Sequence, residues 1–339
     1  GSLDFVLVTH AHIDHSGLLP LIVKNGFNGK IIATGATCAL LKIMLLDSAH
    51  IQEADAQWSA RKGKRAGEEP KGPLYDTTDA QNTLKLLTPC RYLEDIRLAD
   101  GLTARFIDAG HLLGSAYIRL TITENGATKN ILFSGDIGNI NRPIIKDPQV
   151  VSGADTVIME STYGNRLHEE TGNLPEQFAG IFDLTFRRGG NVVIPSFAVG
   201  RTQEILYIIR EIKERGLVKS EPDFEVYVDS PLALEATSVY SGDLSDYADD
   251  ETAALLARGV TPLSYPNLKL TRTAEESMRL NSDMTPKVII SSSGMCEAGR
   301  IRHHLKHNLW RQECSIIFVG YQARGTLGRI LLDGAGKVK

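Results

Sequence analysis

No apolar run in this sequence is long enough to cross a bilayer, which excludes a helical membrane anchor within it. Cysteine is scarce as well. The four thiols, Cys38, Cys90, Cys296 and Cys314, are scattered with no C-x-x-C pair. Neither a disulfide framework nor a thiolate zinc site is therefore expected, and a reducing cytoplasm fits. Excess positive charge is absent too: a formal charge of -4 rules out a uniformly basic nucleic-acid coat. A local basic groove, or metal ions on an acidic site, would still hold phosphates. There is no internal repeat and no low-complexity tract, no secretory leader is expected, and Gly1-Ser2 directly ahead of a strand reads as a cloning remnant on a shortened start.

With 42% apolar and 23% charged residues the composition is that of an ordinary globular protein, and 339 residues predict two domains or one with a large insertion. Phe5 to Val8 is a short apolar run that predicts a strand buried on both faces and ending at His10. A second strand at Ile31 to Ala33 leads into a helix from about Thr37 to Trp58, followed by a charged Gly/Pro loop over residues 61–75. Thr78 and Gln81 spell a capping box for a helix running to Leu87. Residues 102–134 turn to strands. Asn125-Gly126 marks a hairpin between Ala116 to Glu124 and Asn130 to Ser134.

From about residue 175 helices and strands alternate: helix 174–188, strand 191–195, helix 201–215, strand 224–228, a helix near 231, strand 287–291, helix 298–309 and strand 315–319. This order predicts a doubly wound parallel sheet with helices on both faces. Residues 241–285 read as helices and loops.

The sharpest chemical feature is THAHIDHSG, which packs His10, His12, Asp14 and His15 into six positions just beyond a strand. Imidazole and carboxylate suit zinc, and on a loop this spacing lets His10 and His12 converge on one ion while Asp14 and His15 turn to a second. Two further polar residues occupy Gly-flanked loops beyond strands, where α/β proteins gather their site residues: His111 in DAGHLLGSA and Asp136 in FSGDIGN. Alone, each would read as a turn residue; with the His/Asp cluster they read as ligands. On helix 298–309, His303, His304 and His307 lie among Arg and Lys, which would repel a cation, so this helix reads as a basic, outward-facing one rather than a metal site. His50 and His168 read as local packing or capping residues.

The H-x-H-x-D-H series, with one distal histidine and one distal aspartate, resembles the metallo-β-lactamase superfamily. ESTYGNR at 160–166, GGNVVIPSFAVGRTQEIL at 189–206, VYVDSPLA at 226–233, SSSGMCEAGRIRHHL at 291–305 and GYQARGTLGRIL at 320–331 resemble the β-CASP segment of RNA-processing nucleases. The resemblance implies a four-layered αββα domain over residues 1–174 and a doubly wound α/β β-CASP domain over 175–339, with RNA entering between them. It also implies two Zn2+ ions: His10, His12 and His111 on one, Asp14 and His15 on the other, and Asp136 bridging. The ions would generate a bridging hydroxide that cleaves RNA phosphodiester bonds, by endo- or 5′-exonucleolytic action.

Asp14 and Glu160 are the expected catalytic carboxylates, Glu160 by orienting a later histidine that serves as general acid. The Gly-rich turns place Ser196, Arg201, Ser293, Gly294, Arg300 and Arg324 as candidate contacts to single-stranded RNA. A homo-oligomer is compatible with the sequence. Two alternatives stand beside the ribonuclease: a DNA-directed β-CASP nuclease, and a non-catalytic RNA-binding subunit. The resemblance further implies an acidic motif before Gly1, and two histidines beyond Lys339 that would supply the general acid and complete the second zinc site. On that basis the chain as it stands is expected to hold its second ion poorly and to be inactive.

Overall fold

The computed structural model describes residues 3–66, 72–165, 167 and 172–338, with the side chains of 62–66 left aside. His168 and Arg166 lie outside the described residues. The chain divides into two compact units, one of residues 1–166 with 245–250, the other of 167–244 with 251–339. Among the described residues no helix is long and apolar enough to cross a membrane.

The first unit opens with β1 (Phe5–Leu7), α1 (Ile13–Ser16), α2 (Leu19–Lys24), β2 (Lys30–Thr34), α3 (Gly35–Ala66), α4 (Thr77–Leu84) and β3 (Leu87–Cys90). β1, β2 and β3 form a parallel sheet in that order. A second sheet follows, β4 (Asp95–Ala99), β5 (Leu102–Asp108), β6 (Ala116–Glu124), β7 (Ala127–Phe133) and β8 (Thr156–Ile158), antiparallel up to β7 and parallel at β8. Ile32 of the first sheet packs with Phe106, Ala116 and Ile118 of the second, so the two sheets share one core. Asn125 and Gly126 both take positive φ, 51° and 77°, and make the two-residue turn joining β6 to β7.

Four details differ from the sequence reading. β1 is only half-buried, being an edge strand of its sheet. α3 runs eight residues past Trp58, through Arg61 to Ala66, because Lys, Arg and Ala favour helix enough to carry it past Gly63. The capping box of α4 is Asp76 with Asp79, two residues earlier than Thr78 and Gln81. Residues 245–250 also return to this unit, where Ala248 bridges Ile145 and the Tyr247 hydroxyl accepts from Ala36 N.

The second unit contains α5 (Leu174–Arg187), β9 (Val192–Pro195), α6 (Arg201–Glu214), β10 (Glu225–Val228), α7 (Pro231–Tyr240), α8 (Asp250–Ala257), β11 (Leu268–Leu270), α9 (Ala274–Ser282), β12 (Lys287–Ser291), α10 (Ile301–Asn308), β13 (Ser315–Ile316) and α11 (Leu327–Leu332). Its sheet is wholly parallel, in the order β11-β10-β12-β9-β13. β9 and β12 are buried at every residue, as strands covered on both faces must be. A Phe178, Phe182, Phe186 stripe on α5 packs with Phe224, while Ile301 and Leu305 of α10 pack on Val193. β11 falls within the stretch read as helices and loops; three residues are too few to show a strand period.

Candidate metal centre

Three loops of the first unit build the site, each leaving the carboxyl end of a strand. Past β1, Thr9 O accepts from Ala116 N, and Ser16 Oγ donates to the carbonyls of Ala11 and His12, which locks the turn carrying His10 and His12. His111 sits between β5 and β6, where Ser115 Oγ accepts from the backbone N–H of both His111 and Leu112. Asp136 follows β7. Its loop passes so close to the His111 loop that a Cβ on Gly138 would lie 1.8 Å from Gly110 O, so only glycine fits there.

These loops bring one ligand atom each from His10, His12, His111 and Asp136 within 4.8 Å of one another. His12 Nδ1 is 3.2 Å from His111 Nε2, while Asp136 Oδ2 is 3.6 Å from His10 Nε2 and 3.5 Å from His111 Nε2. A tetrahedral zinc with bonds of about 2.0–2.1 Å separates its ligand atoms by roughly 3.3–3.4 Å, close to these three separations. The other oxygen of Asp136 turns to a second group: Oδ1 lies 3.1 Å from His15 Nε2, which in turn is 3.7 Å from Asp14 Oδ2. One carboxylate thus presents an oxygen to each half of the cluster, and the second half is the more open, with the Asp14 side chain 75% exposed.

The residues fit a cation on independent grounds. His10 is fully buried, its Nδ1 is engaged by Thr9 Oγ1 at 3.1 Å, and its Nε2 has no hydrogen-bond partner at all. A buried polar atom without a partner is costly, and a metal bond would satisfy it. Burial foremost, then the neighbouring His12, His111 and His15, keep the His10 ring neutral, far below the ordinary imidazole range. His12 is likewise lowered to about 4, by burial first, with Asp14 opposing. Neutral rings offer their lone pairs without competition from protons. Burial foremost raises Asp136, with His15 opposing and Glu160 and Asp14 adding to it. A desolvated carboxylate facing neutral imidazoles is a setting that a divalent cation stabilises.

Glu160 lies beyond β8 and belongs to the same site. Its Oε1 accepts from Ile137 N at 2.7 Å and its own N–H donates to Ser134 Oγ, so it pins both ends of the Asp136 loop.

The six candidate RNA contacts all lie in the second unit. Ser196, Ser293 and Gly294 follow the adjacent carboxyl ends of β9 and β12, and Arg324 is exposed. Ser196 does not offer a free hydroxyl: it is buried, and its Oγ is engaged with Phe197 O and Thr202 Oγ1. Ser293 Oγ accepts from Glu297 N, and Arg201 pairs with Glu204. Arg300 is drawn inward, its Nη1 donating to Asp229 Oδ1 at 2.7 Å. His304 is no surface group either. It is fully buried with Nε2 2.5 Å from Asp229 Oδ2, which corrects the reading of this helix as a basic, outward-facing one at that position. Asp229, missed in the sequence, accepts in addition from Ser277 at 2.6 Å and from Thr271. Burial pushes its carboxyl upward, but these hydrogen bonds more than reverse that and hold it well below the carboxylate range.

The fold and the site define a class, and comparison with known proteins agrees: residues 1–176 match the metallo-beta-lactamase superfamily, to which the chain belongs. Residues 202–331 match the Beta-Casp domain. The chain is 36% identical over 326 residues to Ribonuclease TTHA0252 of Thermus thermophilus, covering 96% of this chain and 69% of that protein. It is 31% identical to the transcription termination factor FttA of Methanosarcina mazei, over 98% of this chain and 50% of that one. It is also 30% identical to an RNase J-like protein of Methanocaldococcus jannaschii, over 100% of this chain and 71% of the relative.

Proposed function

We propose that this chain is the catalytic part of a zinc-dependent hydrolase that cuts phosphodiester bonds in single-stranded RNA. The observation that carries the reading is the buried, unpartnered His10 Nε2 aimed at Asp136 Oδ2, with His12 and His111 closing the same space. His10, His12, His111 and Asp136 would hold one Zn2+, and Asp136 with Asp14 and His15 a second. A divalent cation bound there supplies Lewis acidity and lowers the pKa of water for attack at phosphorus. The protein's own residues do the rest. Thr9 fixes the direction of the His10 ring, since its Oγ1 engages Nδ1 and leaves Nε2 facing the site. Glu160 keeps the Asp136 loop from drifting. Neutral imidazoles leave the pocket ready for cations and, through them, for phosphate oxygens.

RNA as substrate rests on the names of the relatives, two of which are called ribonuclease or RNase. The test is cleavage of an end-labelled single-stranded RNA by the natural full-length protein with added Zn2+, beside a DNA of the same sequence. Cleavage of RNA that stops on chelation and returns with Zn2+ supports the reading. Preference for the DNA, or cleavage unaffected by chelator, overturns it.

A further inference from the structure

We propose that Phe197 is a stacking platform for an unpaired base of the RNA; this deepens the ribonuclease reading and rests on it. The argument begins with topology. In the second unit β9 connects through α6 to β10 on one side, while its neighbour β12 connects through α10 to β13 on the other. The connections leave in opposite directions, so the gap beyond the carboxyl ends of β9 and β12 is the switch point of the sheet. In open parallel sheets that crevice is where ligands bind. Phe197 stands two residues past the end of β9, and Gly294 three past the end of β12.

The phenylalanine is out of place by hydrophobicity alone. It is 43% exposed, although it follows a wholly buried strand and precedes the buried Ala198 and Val199. Nothing in its backbone is loose: Phe197 O accepts from Thr202 N at 3.2 Å and from Thr202 Oγ1 at 2.7 Å, and Ser196 N donates to Ser291 O at 3.0 Å. Gly294 supports the ring from the neighbouring strand end. A Cβ there would come within 3.0 Å of ring atom Cδ2 and 3.1 Å of Cε2, so the missing side chain is what lets the ring lie down against the turn. A rigid, supported and half-open aromatic in a ligand crevice fits the flat face of a nucleobase. Stacking of this kind tolerates any sequence but requires that the base be unpaired.

The experiment measures binding of a single-stranded RNA to chelator-treated full chain, so that affinity is read without cleavage. Wild type, Phe197→Ala, Phe197→Leu and Phe197→Trp are each tested on the intact RNA and on RNAs carrying one abasic nucleotide at successive positions. Loss of stacking should weaken binding about 5- to 100-fold in the Ala and Leu variants, while Trp retains it. At one position the abasic RNA should bind wild type as weakly as intact RNA binds Phe197→Ala, with no further loss when both changes are combined. Thermal unfolding of each variant checks that the fold is kept. Equal RNA affinity in wild type and Phe197→Ala, or abasic losses that simply add to the Phe197→Ala loss, would overturn the proposal while leaving the ribonuclease reading intact. No RNA binding by wild type would overturn both.

Discussion

The two units each contain an aspartate facing histidine, fully buried at Asp229 and half-buried at Asp136, and the two clusters are opposites. Asp229 meets His304, Arg300, Ser277 and Thr271, every carboxylate oxygen is used, and its carboxyl is held low. Asp136 meets His10, His111 and His15, yet His10 Nε2 stays without a hydrogen bond and the Asp136 carboxyl is pushed up. The same residue types thus make a structural knot in one place and an incomplete site in the other. The difference teaches that a metal centre is recognised by what its ligands leave unsatisfied rather than by their identity alone.

The largest effect that would break this comparison is on stability. Asp229→Ala strands a buried imidazole and a half-buried guanidinium and should cost about 3–5 kcal/mol in urea unfolding. Asp136→Ala in the metal-free protein should cost under about 1 kcal/mol, because it removes a desolvated charge. Equal costs would erase the distinction. Next in size is metal affinity: His111→Ala should weaken Zn2+ binding by at least about tenfold, whereas His304→Ala should leave it unchanged. Titration of zinc into chelator-treated variants reads both.

Glu160 sharpens the same point. Glu160→Ala frees Ile137 N and should lower zinc affinity several-fold, on the order of the 10-fold seen when an orienting partner is lost. Glu160→Gln keeps an acceptor for that N–H and should restore most of it; failure of Gln to rescue would mean that charge, not positioning, is what matters.

The last effect concerns pH. Asp108, the last residue of β5 and next to the His111 loop, is raised to about 6, by burial first, with Gly110 N opposing. A carboxyl whose folded pKa is raised stabilises the fold below its unfolded value and loses that contribution as pH rises toward 6. Asp229 acts in the opposite sense: its contribution is present above about pH 4 and fades only in stronger acid. Asp108→Asn should therefore flatten the fall in stability of the first unit between pH 4 and 7 and add about 1–3 kcal/mol at pH 7. A slope that survives the substitution would place its cause elsewhere.

How legible each cluster was in the sequence follows from chain separation. His10, His12 and His15 sit within six residues, so their density alone marks them, and His111 and Asp136 follow from their place beyond strands. Asp229 and His304 are 75 residues apart and meet only through the packing of α10 on the parallel sheet. One signal was available: Ile301, His304, Leu305 and Asn308 recur at helical spacing, and all four are buried, so His304 belongs to the apolar face of α10. The doubly wound order of the second unit was readable because β9 and β12 each centre on a short apolar run between amphipathic helices. The return of residues 245–250 to the first unit was not, since a single bridge between Ile145 and Ala248 leaves no periodic trace. Phe197 was equally hidden, as exposure of one aromatic in a Gly-flanked loop is decided by the neighbouring strand end.

X-ray absorption at the zinc edge, on protein loaded with one equivalent of Zn2+, tests the central claim most directly. The geometry of His10, His12, His111 and Asp136 predicts a shell of nitrogen and oxygen alone at about 2.0–2.2 Å, with imidazole scattering that falls by one ring in His111→Ala. A sulfur shell at about 2.3 Å, or a spectrum that His111→Ala leaves unchanged, would contradict it.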